Sequence, residues 1–172
     1  MSQACLPLLG ADPKRRHAPG RIVNLSSVSG RIAYPFMGAY AATKHALEAI
    51  SDTLRRELVP FGIDVILIEP GTVATPMVEK FVSQLERFEG TPYAAILEKM
   101  RESVKEQSDG ALAVADVARV VADAVTRPRA ATRYPLPGSF VTGWLLPRWL
   151  PDRAFDWLLA RYYGLQAVGK EL

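Results

Sequence analysis

The stretch that decides the fold covers residues 21–68 and reads RIVNLSSVSGRIAYPFMGAYAATKHALEAISDTLRRELVPFGIDVILI. Its first part, residues 21–26, is a short apolar run with β-branched residues between turn signals, which predicts a strand. Residues 63–68 (IDVILI) are nearly all apolar, as expected of a parallel strand covered on both faces. A helix over residues 40–59 separates them. The stretch therefore predicts one βαβ unit with a right-handed crossover.

The helix of this unit is predicted from its periodicity. Apolar residues recur at spacings of three, four and four, which is the stripe of an amphipathic helix; they are Leu47, Ile50, Leu54 and Leu58. Pro60 and Gly62 follow the stripe and are expected to end the helix.

The remainder of the chain alternates helical patterns with one short apolar run. Thr75-Pro76 and Thr91-Pro92 each resemble a helix cap followed by proline at the first helical position. The predicted elements are helices over residues 76–88, 92–107, 117–125 and 152–163, and a last strand over residues 133–136. Residues 2–9 resemble the end of a further helix.

The strand count indicates the fold class. Three strands are fewer than the five or six that sheets usually have, and the outer edge of the first strand has no predicted partner. We therefore expect an α/β fold, the second half of a doubly wound parallel sheet, without its N-terminal half. The expected organisation is a partial domain over residues 1–138 and an apolar C-terminal extension over residues 139–172.

Composition excludes several classes of protein. The chain has 172 residues, of which 49% are hydrophobic and 23% charged, as in a globular domain. The chain has one cysteine and two histidines, which argues against a disulfide framework or a zinc site, so we expect no metal. For the same reason we expect a reducing, cytoplasmic setting. The net charge of +3 is not concentrated, which argues against nucleic-acid binding. Neither a membrane-spanning run nor a signal peptide is predicted.

Polar side chains follow both predicted strands, where ligands bind in open α/β sheets. Ser26 and Ser27 follow the first strand, and Pro70-Gly71 the second. Tyr40 and Lys44 lie four residues apart at the start of the helix, hence on one face. A lysine cation favours the phenolate form of a nearby tyrosine, and a serine hydroxyl can hold a substrate oxygen while the tyrosine exchanges a proton with it. From spacing alone, a packed tyrosine beside an exposed lysine is the alternative interpretation.

The combined motif resembles the active-site half of the short-chain dehydrogenase/reductase family, with its Rossmann-like fold. The matching pattern is Ser27, then Tyr40 within YAATK thirteen residues later, Lys44 after four more, and PGTVAT at residues 70–75. The similarity covers residues 2–77 closely. Residues 78–172 match only in the order of elements. The resemblance implies that residues 76–110 form a flexible flap over the substrate. Ordinary packing helices are the alternative interpretation of this segment.

The resemblance implies an alcohol–carbonyl oxidoreductase that uses NAD or NADP. Tyr40 would be the acid/base, Ser27 would orient the substrate oxygen, and Lys44 would bind the nicotinamide ribose. Pro70, Gly71, Val73 and Thr75 would contact the nicotinamide carboxamide. Ser26 is the neighbouring serine at the wrong spacing, fourteen residues from Tyr40.

Some features of that family are absent from the sequence. No glycine-rich phosphate turn such as G-x-G-x-x-G is present, and neither is the residue that selects NAD or NADP. The family's helix asparagine would lie before Met1. The alternative is therefore a truncated, inactive reductase fragment that acts at most as an interaction module. A serine hydrolase is disfavoured because the sequence has no G-x-S-x-G elbow.

The C-terminal region suggests the substrate and partners. It is rich in large apolar residues, which favours a lipophilic alcohol or ketone as substrate; they are Trp144, Leu145, Leu146, Trp149, Leu150, Phe155, Trp157 and Leu158. The same region could form a peripheral membrane contact, with Arg148, Arg153 and Arg161 facing anionic headgroups. The family resemblance implies a homo-oligomer as well.

Overall fold

The computed structural model describes residues 2–12, 14 and 16–168. It divides the chain into two compact units. The first unit consists of Met1–Gly71 and Ala115–Pro137, and the second of Thr72–Val114 and Gly138–Leu172. The residues expected to form the flap therefore share a unit with the C-terminal region.

The first unit is built on a three-stranded parallel sheet. The strands are β1 (Arg21–Leu25), β2 (Asp64–Pro70) and β3 (Arg133–Leu136), in the spatial order β1-β2-β3. Val23 pairs with Ile66, and Ile68 with Tyr134. The predicted α/β class and the parallel pairing of the first two strands are confirmed.

Eight α-helices occur in the described part of the chain. They are α1 (Ser2–Leu6), α2 (Gly38–Glu57), α3 (Met77–Leu85), α4 (Ala94–Asp109), α5 (Val114–Thr126), α6 (Leu146–Trp149), α7 (Asp152–Tyr163) and α8 (Leu165–Val168). Short 3₁₀ segments cover Val28–Gly30, Val59–Phe61 and Glu86–Phe88, and π-helical turns cover Pro7–Ala11 and Val141–Leu145.

The connection from α2 to β2 follows the predicted stop signal. Helix α2 ends at Glu57, and the 3₁₀ segment that contains Pro60 leads to Gly62 at a φ of 68°. Glycine adopts this left-handed conformation at little cost, so the chain can turn there into the sheet.

The core of the first unit lies on both sides of β2. All six residues from Val65 to Pro70 are buried, as the apolar run predicted. Ile22, Leu58, Ile63 and Val65 form one cluster against the sheet, with Leu6, Leu9, Ala11 and Leu54 packed around it. This packing explains why residues 2–9 are helical in the absence of a strong helix signal.

Helix α5 is fixed at its C-terminal end by a side chain from β1. The Arg21 guanidinium donates hydrogen bonds to the carbonyls of Ala124 and Val125, both at 3.0 Å, and to that of Arg127 at 2.6 Å. These carbonyls have no partners within the helix, and a cation there interacts favourably with the helix dipole.

The second unit is helical, and α4 packs against α3, α7 and α8. Its buried apolar side chains include Leu85, Ile96, Leu97, Met100, Trp144 and Tyr163. Helices α3 and α4 begin one and two residues after the prolines predicted to start them. At α3 the Thr75 hydroxyl donates to the Val73 carbonyl at 3.4 Å and does not cap the helix.

The described residues offer neither a helix that could span a membrane nor a cluster of metal ligands. None of their helices combines the length and apolar character needed to cross a bilayer. Nor do three or more His, Cys, Asp or Glu side chains converge among them on a point where a metal ion would bind.

Candidate active site

Ser27 lies directly beyond the carboxyl end of β1. Its backbone is extended, with φ of −167° and ψ of 161°, and it precedes the 3₁₀ segment Val28–Gly30. The buried hydroxyl accepts a hydrogen bond from the Ser29 amide at 3.1 Å and donates one to the Pro70 carbonyl at 3.2 Å. Since Pro70 is the last residue of β2, Ser27 is held between the ends of two adjacent strands.

Ser26 is buried as well, but its hydroxyl differs from that of Ser27. Within the described residues the Ser26 Oγ has no hydrogen-bond partner. It lies so close to Gly30 that a Cβ atom added there would be 2.8 Å away. The two serines therefore occupy different surroundings at the end of β1.

Tyr40 and Lys44 are brought together on the first turns of α2. The Lys44 Nζ lies 5.7 Å from the centroid of the Tyr40 ring and donates a hydrogen bond to the Leu25 carbonyl at 3.0 Å. Leu25 is the last residue of β1, two positions before Ser27. Lys44 thus joins the start of α2 to the strand end that carries Ser27.

The surroundings of Lys44 affect its ionisation in two opposing ways. Burial lowers the pKa of the ammonium below its ordinary value, because desolvation disfavours the charged form. The negative charge of Glu48, one turn further along α2, acts in the opposite direction and favours the ammonium. Glu48 therefore helps to keep Lys44 protonated.

Strand β2 ends at Pro70, beside β3, and Gly71 is the next residue. Pro70 is in register with Leu136, and the Gly71 amide donates to the Leu136 carbonyl at 2.9 Å. The segment predicted to receive a nicotinamide carboxamide therefore begins from a fixed position at the carboxyl edge of the sheet.

Val73 and Thr75 belong to the second unit. Val73 forms a parallel bridge with Leu112, whose amide donates to the Thr72 carbonyl at 2.9 Å and whose carbonyl accepts from the Ala74 amide at 3.0 Å. Thr75 is exposed. The roles of these two residues as cofactor contacts stay predictions.

A set of five charged side chains, two of them buried and three partly exposed, lies next to this site, and the sequence analysis did not find it. It consists of Arg31, Glu48, Asp52, Glu69 and Arg133. We call this set the ion cluster. One signal could have revealed it: Glu69 is an acidic residue inside the buried run of β2, where an unpaired charge would be costly.

Comparison with known proteins places the chain in a family. The sequence model of the short chain dehydrogenase family matches residues 1–86. The NADPH-dependent 3-dehydrocapnine reductase of Ornithobacterium rhinotracheale is 33% identical over 156 residues, which are 91% of this chain and 55% of that protein. Human 17-beta-hydroxysteroid dehydrogenase type 6 is 42% identical over 94 residues, which are 55% of this chain and 25% of that protein.

A solved structure has the same architecture. A short-chain dehydrogenase from Streptomyces avermitilis superposes with a TM-score of 0.57 at 26% sequence identity, covering 89% of this chain and 52% of the other. This chain thus spans about half the length of the relatives that match most of it. The parallel sheet, the elements at its carboxyl edge and the match of the family model to half of the sequence agree, and the chain belongs to the short-chain dehydrogenase family.

Proposed function

We propose that the protein is an oxidoreductase that interconverts an alcohol and a carbonyl with NAD or NADP, through Ser27, Tyr40 and Lys44. One observation carries the proposal. The Lys44 ammonium lies over the Tyr40 ring and is bonded to the end of β1, two residues before Ser27. The three side chains therefore start from the same edge of the sheet, where ligands of such sheets bind.

Each residue has a separate role in carbonyl reduction. Tyr40 donates its hydroxyl proton to the carbonyl oxygen as the carbon is reduced, so that C=O becomes C–OH. Ser27 orients that oxygen, which requires its hydroxyl to turn away from the Pro70 carbonyl. Lys44 places a positive charge beside Tyr40 and so favours the phenolate that remains.

The nicotinamide supplies the hydride when it is bound. Lys44 suits a ribose hydroxyl, because its ammonium has three N–H donors and, among the described residues, one of them is used on the Leu25 carbonyl. Pro70 and Gly71 of the first unit would contact the carboxamide, and the same contact by Val73 and Thr75 stays a prediction from the family resemblance. The name of the 3-dehydrocapnine reductase, an NADPH-dependent enzyme, supports a nicotinamide cofactor. The choice between NAD and NADP stays open.

We infer a lipophilic substrate from the second unit. Several of its large apolar side chains remain exposed, among them Phe140, Val141, Leu145 and Trp157. A surface of this kind is typical of proteins that bind apolar ligands or partners. The name of the human relative, a hydroxysteroid dehydrogenase, supports the same class of substrate.

Two partners follow from this proposal. A membrane surface suits the C-terminal region, in which Trp149 is 79% exposed and Arg148 and Arg161 lie over the rings of Trp144 and Trp157. A second copy of the protein is the other partner, since closed symmetric assembly is common among soluble enzymes.

The competing proposal is an inactive reductase fragment that serves as an interaction module, favoured by the absence of a glycine-rich turn in the sequence.

The substitution Tyr40→Phe tests the acid/base role of Tyr40, in the protein as its own organism expresses it. The substitution removes the hydroxyl and keeps the ring, so turnover of a steroid ketone with NADH or NADPH should fall about 10²- to 10⁴-fold while the circular dichroism spectrum is unchanged. Tyr134→Phe is the control, because that hydroxyl accepts a hydrogen bond from the Ala131 amide and should not affect the rate. Activity retained by Tyr40→Phe would refute the acid/base role. No turnover by the unsubstituted protein on any carbonyl tested would favour the inactive fragment.

A further inference from the structure

The ion cluster is the most unusual arrangement in the first unit. Arg133 donates to three carboxylates at once: to Glu69 and Asp52, each at 2.6 Å, and to Glu48. The Arg31 Nε lies 3.3 Å from a Glu48 oxygen and 4.0 Å from a Glu69 oxygen. The Glu69 side chain is fully buried, and that of Glu48 is 5% exposed.

The cluster connects four parts of the chain that carry the candidate active site. Glu69 precedes Pro70 on β2, and Arg133 opens β3. Glu48 follows Lys44 by one turn of α2, and Arg31 follows the 3₁₀ segment that contains Ser29. Each of these four segments thus contributes a charged residue to the cluster, and α2 contributes a second one, Asp52.

The shortest connection to the reacting groups passes through the end of β2. The Glu69 carboxylate is held by Arg133, and its own backbone continues to the Pro70 carbonyl, which accepts the Ser27 hydroxyl at 3.2 Å. The carboxylate that Arg133 holds and the carbonyl that accepts the Ser27 hydroxyl therefore belong to consecutive residues of β2.

We propose that Glu69 is a positioning residue for Ser27: its buried carboxylate, bridged by Arg133 to Glu48, fixes the end of β2 and with it the direction of the Ser27 hydroxyl. The inference rests on the proposed role of Ser27. Glu69 acts through Arg133 and Pro70 and does not touch the substrate.

The electrostatics of the cluster make this position sensitive to protonation. Burial and the neighbouring Glu48 charge raise the pKa of Glu69 to about 7, although Arg133 opposes the change. Glu69 is faced by Arg133 from β3, by Glu48 from α2 and by Arg31 from the loop after β1, and Asp52 shares Arg133. One oxygen of Glu48 and one of Glu69 have no hydrogen-bond partner among the described residues, so a proton can bind the free Glu69 oxygen without displacing a hydrogen bond.

Amide resonances on the 172-residue chain test the proposal without any cofactor. The Ser29 amide reports on the Ser27 oxygen to which it donates, and the Gly71 amide reports on the end of β2. Glu69→Gln should displace both resonances in a ¹H–¹⁵N correlation spectrum. Asp123→Asn is the matched control, because that carboxylate forms an exposed pair with Arg127 on α5 and should leave both resonances in place.

A pH titration of the unsubstituted chain provides a readout that needs no variant. The Ser29 and Gly71 resonances should move with the same midpoint as the Glu69 carboxyl carbon, and this movement should be lost in Glu69→Gln. The proposal is overturned if Ser29 stays in place while the Glu69 carboxyl titrates, or if Glu69→Gln leaves both amides unmoved. Neither outcome depends on turnover, so a failure of the proposed oxidoreductase activity would be seen separately.

Discussion

The Ser27 hydroxyl donates a hydrogen bond of 3.2 Å to the carbonyl oxygen of Pro70, which links the residue beyond β1 to the last residue of β2. The serine is therefore positioned by the neighbouring strand as well as by its own loop. Its oxygen also accepts the Ser29 amide, so both contacts of the hydroxyl are to the backbone. In the proposed mechanism a substrate carbonyl replaces Pro70 as the acceptor of the Ser27 proton.

The first prediction concerns cofactor binding by the chain of 172 residues. Its sequence contains no glycine-rich turn for a pyrophosphate, whereas the proposed site assigns Lys44, Pro70 and Gly71 to the nicotinamide riboside. Reduced nicotinamide mononucleotide and NADPH should therefore bind with comparable, weak affinity in isothermal titration. A much tighter, micromolar Kd for the dinucleotide would mean that the pyrophosphate has a site among these residues.

The second prediction concerns Glu48 and the ionisation of Lys44. Because the Glu48 charge favours the Lys44 ammonium, Glu48→Gln should lower the pKa of Lys44 further below its ordinary value. Any activity that requires protonated Lys44 should therefore decline at a lower pH in Glu48→Gln than in the unsubstituted protein. The ¹³Cε resonance of Lys44 measures this directly. Glu57→Gln, at an exposed position of the same helix, should leave the titration unchanged, and an equal midpoint in both variants would contradict the prediction.

The third prediction concerns Gly30, where side chains from two elements approach the backbone. A Cβ atom there would lie 2.8 Å from both the Ser26 Oγ and the Glu48 Cγ. Because Glu48 is held in the ion cluster, it cannot move away freely, and Gly30→Ala should destabilise the fold by about 1–3 kcal/mol in urea unfolding. Gly38→Ala is the control, since no atom lies within 4 Å of the added Cβ and alanine favours the helix that begins there. Equal stability of the two variants would show that the ion cluster adapts.

The fourth prediction concerns stability against pH. The pKa of Glu69 is raised from 4.5 to about 7, so the native state holds this proton more tightly than the unfolded state. Its contribution is fully present below pH 4.5 and is lost as the pH rises through 7. The loss is on the order of 3 kcal/mol, the shift converted at about 1.36 kcal/mol per pKa unit. Urea unfolding across this range should show the decline in the unsubstituted chain and a smaller decline in Glu69→Gln. Parallel profiles would contradict the assignment.

The fifth prediction concerns the membrane contact proposed for the C-terminal region. Trp149 and Trp157 are 79% and 54% exposed, whereas Trp144 is buried, so substitutions at the two exposed positions should spare the core. Trp149→Ser with Trp157→Ser should reduce co-sedimentation with phosphatidylcholine vesicles that contain phosphatidylserine. Leu8→Ser is the control, at a 77% exposed apolar position of the first unit. Unchanged sedimentation of the tryptophan variant would exclude this surface as the contact.

The sequence alone determined the elements around the site, because their signals are local. Apolar runs and a stripe of three- and four-residue spacings marked β1, β2 and α2, and the four-residue spacing of Tyr40 and Lys44 placed them on one face. Only the tertiary structure decided the ionic contacts. Arg133 meets Glu69 across 64 residues, and Arg21 reaches the Ala124 carbonyl across 103. Such pairs depend on the register of β2 against β3 and on the packing of the end of α5 beside β1, and no local sequence pattern specifies either. A charged side chain that the packed sheet removes from water needs a partner of opposite charge. Which residue supplies that partner is seen only in the tertiary structure.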